Sequence, residues 1–158
     1  MTTSSLTWIR PLLLAALLPT AAFSEQTASY DSVGRLSIKG VWDSTVTLQV
    51  CGGGPVLRTF RALNLFAHDG SLVATSVAVP PPSLGKWRWL GGRKFRATSQ
   101  LMRLGAGGVF EGMTRVSRDI EMARDAQSFT SVVTTQLFDV TDTPIQEGCG
   151  KEVARRVY

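Results

Sequence analysis

The chain has 158 residues, 44% of them hydrophobic, with 17 Lys and Arg against 12 Asp and Glu and a formal net charge of +5. That length fits one domain with a real core. The mild positive charge favours anionic ligands or surfaces without marking a nucleic-acid binder, and past the first two dozen residues no apolar run is long enough to span a membrane.

The N-terminus has the three parts of a secretory signal. Met1 to Arg10 is polar with one positive charge, Pro11 to Phe23 is apolar, and Ala22-Phe23-Ser24 sets small residues where a signal peptidase reads. The apolar run falls short of the ~20 residues a membrane anchor needs. The expectation is a signal peptide over 1–24, with export to a periplasm or beyond the cell. Residues 25–35 are polar and aperiodic and are expected to be a flexible leader, and 36–158 form the domain. The two cysteines, Cys51 and Cys149, read most simply as a disulfide in an oxidising compartment. It would close a loop of about 100 residues, worth about 4–5 kcal/mol in the chain-entropy model.

From Leu36 onward, runs rich in Thr, Val and aromatics alternate with Gly, Asp and Pro. No stretch holds a helical period over three turns. The pattern predicts eight strands, over 40–51, 56–68, 71–78, 85–90, 94–104, 109–122, 128–139 and 145–157. Short turns such as Asp69-Gly70 and Gly91-Gly92 make sequential strands antiparallel neighbours. Val79-Pro80-Pro81-Pro82 is a stiff, extended connection.

Alternation assigns faces. Trp42, Val46, Leu48 and Val50 point one way, and Asp43, Thr45 and Thr47 the other. Phe110, Val116, Ile120 and Met122 share an inner face, as do Trp87 with Trp89, and Phe95 with Ala97 and Leu101. Eight strands with one apolar face each either pack as a sandwich or close into a barrel, and closure removes exposed edges. Cys51 ends the first strand and Cys149 lies in the last, so a disulfide makes those strands neighbours. This favours an all-β, single eight-stranded antiparallel up-and-down barrel. With Cys51 directly facing Cys149, Trp42 would lie near Arg156 and Tyr158.

Gly40-Val41-Trp42 opens the first strand and Arg155-Arg156 closes the last. In this the chain resembles the lipocalin-like (calycin) barrels, which begin with a Gly-x-Trp motif whose Trp is covered by an Arg from the chain's end. The resemblance implies that Trp42 is the plug and Arg156, or else Arg155, its cover. A second triplet, Gly85-Lys86-Trp87, is similar to the allene oxide cyclase-like barrels.

Covalent, metal and dinucleotide chemistry find no support. The one histidine, His68, adjoins the Asp69-Gly70 turn, where an exposed turn residue is the simpler reading than a triad member. There is no Gly-x-Ser-x-Gly elbow, phosphate loop or Rossmann glycine pattern, no metal-ligand cluster, and so no catalytic residue or cofactor to assign. Lys86 to Arg96 interleaves basic residues with Trp87, Trp89 and Phe95. Such mixtures bind single-stranded nucleic acid, but the period of two across Gly91-Gly92 fits a hairpin with an aromatic inner face and a basic outer one.

The inner face also carries charge. Alternation puts Arg118 between Val116 and Ile120, Arg103 on the face of Phe95 and Leu101, and Glu152 and Arg156 inward. A buried charge must be paired or open onto water. One reading has Arg118 or Arg103 near a barrel mouth and Glu152 and Arg156 paired or capping Trp42. The other joins Arg103, Arg118 and Glu152 to an aromatic pocket of Trp87, Trp89 and Phe95, which would bind a small amphipathic ligand with an anionic or carbonyl group. The expected function is ligand binding without catalysis. An isomerase or cyclase using Glu152 with Arg118, and a structural protein with a filled core, are the alternatives.

Overall fold

A computed structural model describes residues 36–79 and 81–157. The expected signal peptide and leader lie outside the described residues. The strands are β1 (Gly40–Gln49), β2 (Val56–Phe66), β3 (Ser71–Ser76), β4 (Ser83–Gly91), β5 (Lys94–Leu104), β6 (Phe110–Met122), β7 (Ser128–Phe138) and β8 (Pro144–Arg156). They form one closed barrel in sequence order, each antiparallel to the next, with β8 returning to β1. The only helical piece among the described residues is a short 3-10 turn, Ala106–Gly108.

Closure follows from the alternation. Each strand turns alternate residues inward, and with β8 paired back to β1 these inward sets face one another across the barrel axis. Trp42, Ser44 and Val46 point in from β1, and Ala62, Asn64 and Phe66 from β2. Val116, Arg118, Ile120 and Met122 point in from β6. Two glycines permit the tight coiling. A Cβ on Gly85 would lie 2.0 Å from the Thr98 carbonyl oxygen, so β4 and β5 approach closely there. Gly112 has φ +118°, and its Cβ would lie 2.1 Å from the Phe138 carbonyl oxygen.

The β1–β8 register differs from direct Cys51–Cys149 facing. Trp42 pairs with Arg156 and Gln49 with Cys149, so Cys51 reaches its partner diagonally from just beyond the strand. The disulfide forms with a Cα–Cα distance of 5.0 Å. A shift of two residues leaves the paired side chains of β1 and β8 on their expected faces, because the pleat has period two, whereas Val50, beyond the end of β1, and Phe110, beyond the β5–β6 register shift, are exposed instead of facing inward. The strand ends also move. β1 stops at Gln49 because Cys51-Gly52-Gly53 turns, Gly52 and Gly53 both having positive φ. β4 starts earlier, at Ser83, which pairs with Ala74.

One end of the barrel is packed solid. Ile38, Trp42, Phe66, Leu72, Phe95, Met122 and Phe129 are buried there, with Trp87 packed against them. The rings form a continuous chain: Trp42 to Phe129 at 4.9 Å between centroids, Phe129 to Phe66 at 6.1 Å, Phe66 to Trp87 at 6.3 Å and Trp87 to Phe95 at 6.0 Å. Tilted and edge-on contacts of this kind add about 0.5–1.5 kcal/mol per pair beyond area burial. Arg156 seals this end. Its guanidinium lies 4.3 Å over the Trp42 ring and donates to the carbonyls of Ser37, Lys39 and Ala126. Partial removal from water pulls its pKa below the ordinary arginine value. Of the two expected covers, Arg156 does this, while Arg155 points outward in the alternation and is exposed.

Candidate functional site

Above the packed end lies a layer of buried polar side chains: Ser44, Asn64, Ser99, Arg118, Ser131 and Glu152. Each occupies an inward position of its strand, so the pleat alone aims them at the axis. Glu152 is the hub. Its Oε1 accepts from Asn64 Nδ2 at 2.8 Å, and its Oε2 from Ser131 Oγ at 2.9 Å. Arg118 Nε lies 3.2 Å from the same Oε2. Asn64 Nδ2 also donates to Ser44 Oγ at 2.8 Å, and Arg118 Nη1 to Ser99 Oγ at 3.3 Å.

The network is incomplete. Asn64 Oδ1 and Arg118 Nε are buried and make no hydrogen bond, the contact of Nε to Glu152 being an ion pair without hydrogen-bond geometry. Among the described residues, the Arg118 guanidinium makes one hydrogen bond, to Ser99. Buried polar groups are seldom left so under-used.

Arg118 is also the floor of a cavity. The space above it is about 180 Å³ and is lined by Val46, Leu48, Phe60, Leu101, Val116 and Leu137, with Val79 and Pro81 contributed by the β3–β4 connection. An apolar cavity of ~150 Å³ already holds a benzene-sized guest. The cavity opens at the end opposite Trp42, where the connections after β1, β3, β5 and β7 gather. Exposed apolar side chains surround that mouth, among them Val77, Leu104, Val109, Phe110, Val140 and Ile145. Arg58 also lines the cavity and lies 4.9 Å over the Phe60 ring.

The expected ligand residues separate into three places. Arg118 lines the cavity. Glu152 lies buried beside it and does not line the cavity, because Arg118 and its own hydrogen-bond partners surround the carboxylate. Trp87, Trp89 and Phe95 do not form the pocket. Phe95 and Trp87 belong to the packed end, where Trp87 Nε1 donates to the Ala67 carbonyl at 3.0 Å. Trp89 is exposed at the β4–β5 hairpin, its indole N–H turned to the Gly92 carbonyl. Arg103 keeps its inward phase but sits at the rim. It donates to the Phe138 carbonyl at 3.2 Å and pairs with Glu111 at 3.7 Å.

The polar residues Asn64, Ser99 and Ser131 were not among the expected site residues. Asn64 carried a usable signal, an amide on the buried face between Ala62 and Phe66. His68 is exposed in the β2–β3 turn. Among the described residues no group of three His, Cys, Asp or Glu side chains could hold a metal ion, and no helix is long and apolar enough to cross a membrane.

Comparison with models of known protein families and with curated proteins yields no match.

Proposed function

We propose that this chain is an exported, lipocalin-like barrel that binds a small apolar or amphipathic molecule without transforming it. One observation carries the reading: a one-ended apolar cavity with a single guanidinium, Arg118, at its floor. An apolar lining with few convergent polar groups is the usual composition of a small-molecule site. The exposed apolar side chains at the mouth support it, since they offer an apolar guest a surface on entry beside the charged Arg58 and the Arg103–Glu111 pair. Trp42 under Arg156 supports the lipocalin-like assignment. The secretory pattern of 1–24 and the Cys51–Cys149 disulfide support export.

Binding is favoured over isomerase or cyclase chemistry because Glu152, the acid or base such chemistry would use, does not line the cavity. A general base must come within hydrogen-bond reach of its substrate.

Native mass spectrometry of protein purified from the exported fraction tests this. Excess mass released on denaturation supports a carrier, and Ala74→Phe, which fills the cavity from β3, should abolish it. A bare mass that persists after incubation with lipid and metabolite extracts overturns the carrier reading in favour of a structural barrel. A full-length reduced mass would overturn export.

A further inference from the structure

We infer that the head group received at the cavity floor is uncharged and accepts hydrogen bonds, a carbonyl of the ketone, ester or amide class, because Arg118 presents unused donors there while Glu152 already balances its charge. The inference rests on the ligand-binding reading above and names the chemistry of that same site.

Three observations carry it. The first is donor supply. Arg118 is 7% exposed in its side chain and makes one hydrogen bond, to Ser99, so the guanidinium retains N–H groups without acceptors. A guanidinium has donors only, so what completes it must be an acceptor. A hydrocarbon guest would displace water from those N–H groups and leave them unpaired.

The second is charge balance. The Glu152 side chain is fully buried, with its Oε2 3.2 Å from Arg118 Nε. A carboxylate guest would place a second anion against the same cation in a water-poor site, where like charges close together are strongly disfavoured. The only other cation on the cavity wall is Arg58, which is exposed at the mouth and engaged over Phe60. A neutral carbonyl takes the donors and leaves the balance intact.

The third is the wall. Above Arg118 it is mainly Val46, Leu101, Val116, Val133 and Leu137, with Thr114 and Thr135 among them, so the rest of the guest is largely hydrocarbon. The guest enters head first, and a cavity of about 180 Å³ accepts a short chain or a single ring.

Calorimetric titration of the purified, disulfide-bonded protein with three eight-carbon probes decides the matter. The probes are 2-octanone, octanoate and octane. The expected order has 2-octanone binding about tenfold or more tightly than either of the others. Glu152→Gln removes the balancing anion, so octanoate should then overtake 2-octanone. The paired change Arg118→Met with Glu152→Leu gives an all-apolar floor without a lone buried charge, and there octane should bind as tightly as 2-octanone. Equal binding of all three by the native protein would overturn the head-group inference and leave the carrier reading standing. Octanoate binding more tightly than 2-octanone to the native protein would also overturn it. Binding of none would overturn both.

Discussion

Arg118 Nε lies 3.2 Å from Glu152 Oε2, yet it is not aimed along a hydrogen bond to it. The two side chains compensate each other's charge while the guanidinium is turned elsewhere, to Ser99 and to the cavity. Taking both ions out of water is costly, and their attraction offsets that cost only while both are present. Glu152→Leu should therefore lower unfolding stability by about 3–5 kcal/mol, since it strands Arg118. Arg118→Met combined with Glu152→Leu should recover most of that loss. Urea denaturation of the native chain, both single variants and the pair checks this. Additive losses would mean that the two charges do not compensate each other.

Arg156, inward at the closed end, does different work. Arg156 covers Trp42 and caps the carbonyls of Ser37, Lys39 and Ala126. Arg156→Ala removes a cation–π contact and leaves these acceptors to water, a loss of at least about 2 kcal/mol. Arg156→Lys should recover little, because an ammonium offers one point charge where a planar fork meets three carbonyls. The specific readout is hydrogen exchange at the Trp42 indole N–H, which donates to the Ile38 carbonyl at 2.7 Å. It should accelerate in both variants. Unchanged protection would mean that Arg156 does not hold the closed end.

Much of this architecture is legible in the sequence, because a strand's pleat is a two-residue rule. Alternation gives the inward set, and the inward set contains Trp42, Arg118, Glu152 and Arg156, whose charges then had to be compensated. What alternation does not give is height along the barrel. Phe95 and Leu101 share a face of β5, but Phe95 is buried in the packed end and Leu101 lines the cavity. The same limit moved Trp87 out of the expected pocket. Trp89 shares its phase but lies beside the register shift between Trp89 and Gly91 that ends the β4–β5 ladder, and so stays at the surface. Asn64 was legible by the reasoning that found Arg118, since an amide on a buried face needs partners as a charge does.

The diagonal disulfide sets a third expectation. Strands β1 and β8 are already paired from Trp42–Arg156 to Gln49–Cys149, so closure does not depend on the bond. The Cys51–Cys149 link spans a sequence separation of 98 and acts largely on the unfolded chain. Replacing both cysteines by serine should keep the far-ultraviolet circular dichroism of the barrel and lower stability, by up to about 4–5 kcal/mol in the entropy model. Loss of the native spectrum at low temperature would mean that the bond, and not the ladder, closes the barrel.

Acid should loosen the mouth at one particular turn. Asp139 Oδ1 accepts from the amides of Thr141 and Thr143 and from the Thr141 hydroxyl, and these bonds hold its pKa below the ordinary aspartate value. A carboxyl whose folded-state pKa is depressed contributes stability that is present above its unfolded pKa, near 3.9 or about 4, and lost as pH falls through the folded value. The β7–β8 turn should thus be intact at neutral pH and open only below about pH 4. Asp69 is an internal comparison, its pKa lowered by the amide and hydroxyl of Ser71 in the β2–β3 turn at the opposite end. Amide chemical shifts followed against pH should show Thr141 and Thr143 moving together with a depressed midpoint, and Ser71 moving with its own. Asp139→Asn should abolish the transition at Thr141 and Thr143 and leave that at Ser71. A midpoint for Thr141 and Thr143 at the ordinary aspartate value would mean that these bonds do not hold the turn in solution.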